Sequence, residues 1–253
     1  MSRWSRNRQF TYLGGLILLV ILLAGYLFYT YKPIATCSDG RQNGDETGVD
    51  CGGSCQQICL NQAAALKVLW VRVLPVSRGV YAAAALVENP NAQAGLRKLS
   101  YTFRLVDEKN ILVNIRSGET FVNPGEKFLI FEGGINVGEG KPMRAFLELG
   151  ALNWEKATKA SPLLTVDKKS FVNGEPARLT ANITNRSITD LRLVSVPALL
   201  SDESGNAIAA GFTYLEQLPR DGAQAVFYSW PTSISTIPSF IDLYPRVSVF
   251  DLP

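Results

Sequence analysis

Four cysteines are the residues best equipped for chemistry in this chain, and all lie within CSDGRQNGDETGVDCGGSCQQIC, at Cys37, Cys51, Cys55 and Cys59. Thiols this dense in so short a segment serve as oxidised crosslinks or as ligands. Three chemistries compete. Two disulfides would staple a loop-rich stretch too short to build a core. A zinc site would need four thiolates converging tetrahedrally, most often from C-x2-C pairs, whereas both close spacings here are C-x3-C. A redox pair would need the C-x-x-C spacing that lowers a thiol pKa, which is missing. The spacing favours disulfides. The same loop holds Asp39, Asn43, Asp45, Glu46 and Asp50, oxygen donors separated by Gly40 and Gly44. Hard cations collect such oxygens, so calcium is the one cofactor the sequence brings into view, although the spacing does not follow an EF-hand loop and solvated turn residues explain the same pattern.

Other chemistry is scarce. The chain has no histidine, which removes Ser-His-Asp and Cys-His nucleophile activation and every His-containing metal site. No serine stands in a recognisable catalytic motif, so no catalytic residue is assigned and a non-enzymatic protein is expected.

The elements that position the cysteines start with TYLGGLILLVILLAGYLFYTY, residues 11–31, which carries no charge and is long enough to cross a hydrocarbon core as a helix. Trp4, Phe10 and Tyr12 at one end and Tyr26, Phe28, Tyr29 and Tyr31 at the other are placed like interfacial aromatic belts. Arg3, Arg6 and Arg8 precede the span and Lys32 alone follows it closely, a bias that predicts a cytoplasmic N-terminus and an extracytoplasmic C-terminal region. GYLFYTYKP offers no small-x-small cleavage site for a signal peptidase. Lipidation at Cys37 is disfavoured by Thr36 before it and by the intervening Lys32-Pro33. The chain holds 25 basic and 22 acidic residues; setting aside the three arginines before the span leaves 22 of each, so no electrostatic footprint for nucleic acid is expected.

From Leu66 onward the periodicity is two. Strands are predicted at Leu66–Leu74, Val80–Val87, Leu99–Val106, Ile111–Phe121, Lys127–Phe131 and Met143–Leu149. A second set is predicted from Leu163, with Arg178–Thr184, Leu191–Leu200, Ala207–Leu215, Gln224–Trp230 and a final strand over Arg246–Leu252. Turn residues separate them, as in Asn89-Pro90-Asn91 and Asn123-Pro124-Gly125. At an offset of about 96 residues the two sets match in order, with Asn89 falling on Asn185, which predicts a duplicated domain. The expected fold is therefore mainly β, two tandem antiparallel β-sandwich domains behind a single transmembrane helix and a small disulfide-rich segment. The boundaries read as a cytoplasmic stub over 1–10, the span over 11–31, the cysteine module over 32–62 and sandwiches over 63–153 and 154–253.

Phe103-Arg104-Leu105-Val106-Asp107 resembles the F-x-L-Y-D signature of the FxLYD domains, small extracytoplasmic bacterial β-sandwiches, with Val106 at the tyrosine. Val87-Glu88-Asn89-Pro90-Asn91 and Asn123-Pro124-Gly125-Glu126-Lys127-Phe128 extend that resemblance over Leu66–Leu149. The second copy has Pro197-Ala198-Leu199-Leu200-Ser201 in place of the signature, and an immunoglobulin-like sandwich of another kind is open there. The cysteine segment resembles a short module of microbial surface proteins, departing from its C-x-x-C end at Gln56-Gln57-Ile58. These resemblances imply a cell-surface protein without catalysis. Asn182-Ile183-Thr184 and Asn185-Arg186-Ser187 match glycosylation acceptors, a pattern expected by chance in a Thr-rich strand. The expected role is a membrane-anchored presentation of two sandwiches for protein or cell-envelope binding, with the membrane engaged through residues 11–31 and no nucleic acid. The alternative is an accessory subunit of a membrane-embedded secretion or pilus-type assembly, whose helix contacts run through Gly14, Gly15 and Ala24-Gly25.

Overall fold

The computed structural model describes residues 3–31 and 35–252, with side chains from Phe10 onward. Arg3, Arg6, Arg8, Trp4 and Lys32, which carry the predicted orientation and part of one aromatic belt, lie outside the described side chains, as do Met1, Ser2 and Pro253. The chain divides into two compact units, residues 1–53 and 54–253.

The first unit holds helix α1, Arg3–Thr30, and the turns of the cysteine loop. Residues Phe10–Thr30 of α1 have a mean hydropathy of 2.2, and every described side chain on it is exposed. A helix this long and apolar is able to span a membrane.

Among the described residues, the second unit holds thirteen strands. They are β1 (Lys67–Ser77), β2 (Val80–Glu88), β3 (Ala94–Val106), β4 (Leu112–Val122), β5 (Lys127–Asn136), β6 (Arg144–Leu149), β7 (Glu155–Lys156), β8 (Leu164–Val172), β9 (Ala177–Asn185), β10 (Leu191–Ser201), β11 (Ala207–Leu218), β12 (Ala223–Trp230) and β13 (Phe240–Leu243). All pairing between them is antiparallel. In the first sandwich, sheet β1-β2-β5 faces sheet β4-β3-β6, with β7 added at the start of β3. The second repeats this order as β8-β9-β12 against β11-β10-β13. Each of its strands begins 95 to 97 residues after its counterpart, from Lys67 and Leu164 to Arg144 and Phe240. The two halves thus share one strand order, β7 apart.

Each sandwich closes on its own apolar core. Ala83, Ala85, Val87, Phe128 and Ile130 meet Leu99, Phe103, Leu105 and Trp154 in the first; Leu179, Ala181, Ile183, Val226 and Trp230 meet Val194, Val196, Ala198 and Leu200 in the second. Phe103 and Leu105 share the inner face as their spacing predicts, and Asp107 Oδ1 accepts hydrogen bonds from the Lys109 and Ile111 amides at 2.9 and 2.8 Å to form the following turn. Asp202 does the same for the Asn206 amide at 2.8 Å.

A third core joins the sandwiches. Ala82, Ala84, Leu86, Leu74 and Leu129, on the outer face of β1-β2-β5, pack on Leu199 and Ala210 of β10 and β11. Strands β2 and β10 are consequently covered on both faces, and strands buried on both faces read as continuous apolar runs. This accounts for Ala82-Ala83-Ala84-Ala85 and for Val196–Leu200. The sheets in contact are not equivalent: the β1-β2-β5 sheet of one copy meets the β4-β3-β6-type sheet of the other.

The final strand differs from its prediction. It lies at Phe240–Leu243, paired with β10, and Arg246–Leu252 is irregular. The Arg-Val-Ser-Val alternation mimics a strand because Val247 and Val249 are buried while the chain is tied down by single bonds, Ser195 and Arg246 exchanging backbone bonds at 2.9 Å. Asn185 is fully buried in β9, so the second glycosylation match is inaccessible in the folded chain.

Candidate functional site

The cysteine loop is tied by its own acidic side chains. Residues Gly40, Gly44, Asp50 and Gly52 take left-handed backbone conformations, which bring the carboxylates inward. Asp50 accepts the Gly40 amide with both oxygens at 3.1 and 3.0 Å. Asp39 accepts the Arg41 amide at 2.9 Å and the Asn43 side-chain amide at 2.7 Å. Glu46 Oε2 accepts the amides of Asn43 and Asp50 at 3.2 and 3.3 Å. The Asn43 side-chain bond holds the Asp39 carboxyl below its ordinary pKa. Four of the five calcium candidates, Asp39, Asn43, Glu46 and Asp50, therefore join one network in which carboxylate oxygens already serve internal donors; Asp45 is exposed beside it. Cys37, Cys51, Cys55 and Cys59 are all disulfide-bonded, so the thiolates a zinc ion needs are consumed.

Residues 54–64 belong to the β unit. Ile58 donates to the Trp154 carbonyl at 2.8 Å, Lys156 to the Gln56 carbonyl at 2.9 Å, and the Gln56 side chain returns a bond to the Lys156 carbonyl. Ile58 packs on the first core, and Cys55 and Cys59 are buried. Asn91 then clamps Ala64 through both its amide atoms at 2.8 Å. The latter half of the cysteine module is thus a docked flap of the first sandwich.

The junction between the sandwiches is organised around Arg246, which is 5% exposed. Its Nη2 donates to Glu126 Oε2 at 2.9 Å, and its Nε lies at ion-pair distance, 2.8 Å, from Oε1 without the angle of a second hydrogen bond. The guanidinium stacks between the Phe121 and Phe128 rings, 4.1 and 4.3 Å from their centroids. Its Nη2 also donates to the Phe121 carbonyl at 2.5 Å. Burial pulls the guanidinium below its ordinary pKa, and Glu126 opposes that shift. Two residues upstream of the Gly125 turn, Asn123 is buried and grips the same C-terminal segment. It donates to the Val247 carbonyl and accepts the Val249 amide, both at 3.0 Å.

Beside this junction runs a groove of about 520 Å3, walled by Phe121 of β4, Phe131 of β5, and Pro197 and Phe212 of β10 and β11, with Tyr101, Glu119, Glu132, Ser195 and Arg246 also lining it. Tyr101 donates its hydroxyl to Glu132 Oε1 at 2.9 Å. The pair fits because residue 118 is glycine: a Cβ there would stand 2.4 Å from the Tyr101 hydroxyl and 2.6 Å from Glu132 Oε1. Burial first, and then the Glu132 carboxylate, push the Tyr101 phenol well above its ordinary value. A second, more enclosed groove of about 570 Å3, lined by Leu191, Leu193, Val247 and Leu252, lies along the C-terminal segment.

None of these groove and junction residues was among the sequence-derived candidates. Glu126 stood inside a turn motif and Arg246 at the head of an apparent strand. The one available signal was an arginine opening an otherwise apolar alternation. Comparison with family models and with curated proteins yields no match for the chain.

Proposed function

We propose that this is a single-pass, membrane-anchored extracytoplasmic protein whose paired β-sandwiches bind a protein or cell-envelope partner without catalysis. The observation that carries the reading is the pair of disulfides between Cys37 and Cys59, placed between an apolar helix and the β unit. Disulfides persist in oxidising compartments, which supports a β unit on the outer side of a membrane spanned by α1. The arginines before the span agree with that orientation. The FxLYD-like signature of the first copy and the microbial surface resemblance of the cysteine module point the same way. Lack of histidine and the pairing of the buried Arg246 with the partly buried Glu126 support a binding role over a catalytic one.

Two measurements in cells test this. A membrane-impermeant protease added outside should digest the β unit while sparing the N-terminal stub, and non-reducing mass mapping should recover all four cysteines as disulfides. Free thiols, or protection of the β unit, would overturn the topology. Crosslinking of the full chain in its native membrane should then capture an envelope component; a chain recovered alone would count against the binding role.

A second reading makes the chain an accessory subunit of a secretion or pilus-type assembly. It draws on Gly14, Gly15 and Gly25 of α1, small residues of the kind that let two membrane helices approach closely. Exchange of α1 for an unrelated span separates the two: a tether tolerates the exchange and an assembly subunit does not.

A further inference from the structure

We propose that the groove between the sandwiches binds a basic side chain, lysine or arginine, presented by a segment of a partner protein. The argument is one of charge and wall chemistry. Among the described residues the groove's other charges have partners: Arg246 is paired with Glu126 at 2.8 Å, and Glu119 with Lys98 at 2.7 Å. Glu132 is different. Its carboxylate is half-buried, forms none of the ion pairs among the described residues, and holds one neutral donor, the Tyr101 hydroxyl. Arg116, the nearest basic residue along β4, directs its guanidinium to the Gly134 carbonyl at 3.3 Å instead.

A half-buried carboxylate attracts a cation more strongly than a solvated one, since less water screens it. The surrounding walls suit the rest of such a side chain. Phe131 and the half-exposed Phe212 offer ring faces for an ammonium or guanidinium and apolar area for its methylene stem. Pro197 and Leu129 close the floor with apolar surface. A volume of about 520 Å3 exceeds what one side chain fills and leaves space for the flanking backbone. Gly118 and the hydroxyl of Tyr101 fix the carboxylate in place before anything binds, so little ordering is lost on association. A partner segment, as opposed to a free polyamine, is favoured because the groove offers a single uncompensated carboxylate, matching one basic group flanked by apolar atoms.

The inference gives chemistry to the partner of the binding role proposed above and rests on that role for its biological setting alone. The purified full chain in detergent micelles tests the groove, whereas crosslinking in cells tests the role, so either can fail separately. Titration with short peptides of the form acetyl-Leu-Lys-Leu-amide and its arginine analogue should give saturable binding, while the acetyl-lysine version should bind at least roughly tenfold more weakly. Glu132→Gln keeps the shape and the Tyr101 bond and should lower affinity by a similar factor. Phe212→Ala, at an exposed position, should weaken binding severalfold with an unchanged melting temperature. Equal binding of the acetylated peptide, no loss in Glu132→Gln, or tighter binding of spermidine than of either peptide would overturn the proposal.

Discussion

At the residue scale the molecule repeats one device in both sandwiches. Asn89 and Asn185, 1% and 0% exposed, each use the side-chain amide to close the turn after an inner strand. Asn89 donates to the Ala94 and Asn123 carbonyls at 2.8 Å, and Asn185 to the Thr189 and Leu218 carbonyls at 2.8 and 3.1 Å. Replacing either by alanine orphans buried carbonyls, and each change should lower stability by about 1–3 kcal/mol in denaturant titrations of the full chain. Arg246 is more demanding. Arg246→Met leaves the partly buried Glu126 carboxylate without its counter-charge and should destabilise by about 3–5 kcal/mol, whereas Arg246→Met with Glu126→Leu should recover a large part of that loss, because removing both charges also removes their desolvation penalty.

The ionisable groups set two pH limits. Tyr101, Tyr228 and Tyr244 all have phenols raised by burial, with Glu132 adding to the first and Asp242 to the last. A raised folded value means that the neutral phenol is preferred in the folded state. Its contribution is complete below the unfolded value of about 10 and is lost as pH rises past it. Asp39 and Asp202 are lowered, chiefly by the Asn43 and Asn206 side chains, so their contribution is complete above about pH 4 and fades as pH falls through the folded values. Melting temperature should therefore decline at both extremes, and the alkaline limb should flatten in Tyr101→Phe, a change that ultraviolet absorbance at the tyrosinate band can follow alongside unfolding.

Among elements, β2 carries the most information per residue. Its alternate alanines serve two cores, Ala83 and Ala85 inside the first sandwich and Ala82 and Ala84 against the second. Small side chains on the outer face let two sheets approach closely, so Ala84→Leu should overpack the shared core and destabilise by about 1–3 kcal/mol. Limited proteolysis should then cut the connection between the sandwiches faster, because the loss falls on their contact. The strand pattern was legible in the sequence wherever one face is solvated and residues alternate, as at Phe103-Arg104-Leu105. The role of the alanine run was not, since double-sided burial and a tolerant single-sided strand give the same letters. The C-terminal segment was misread for a related reason: Val247 and Val249 are buried at strand spacing, yet what holds them is Asn123 and Arg246, side-chain bonds to residues some 120 positions away. Periodicity reports burial; it carries no record of distant polar partners.

On the scale of the whole β unit, three apolar cores and the C-terminal clasp make the two sandwiches one compact body. Unfolding of the full chain should accordingly show one transition for the β unit, and Arg246→Met should split it into two by differential scanning calorimetry if the clasp couples the halves. Reducing agent should lower the melting temperature further, since the flap at Gln56–Ile58 is held to Trp154 and Lys156 next to Cys55 and Cys59. The groove residues escaped the sequence reading because they come from β3, β4, β5, β10 and β11, and only the packing of non-equivalent sheets assembles them.

That packing of unlike faces makes the contact head-to-tail, and a head-to-tail contact leaves one face of each kind unmatched at the two ends. Any further copy obeying the same rule would dock its own β1-β2-β5 face on the free β4-β3-β6 face, or offer the reverse at the other end, and the array would lengthen into a ring or a filament. The surface residues forbid it. The free face of the first sandwich carries Arg104 paired with Glu148, and that of the second carries Arg178, Thr180 and Asn182, where the joined faces carry alanine and leucine. The polar residues thus act as terminators of a one-dimensional array, fixing its length at two by composition instead of by symmetry.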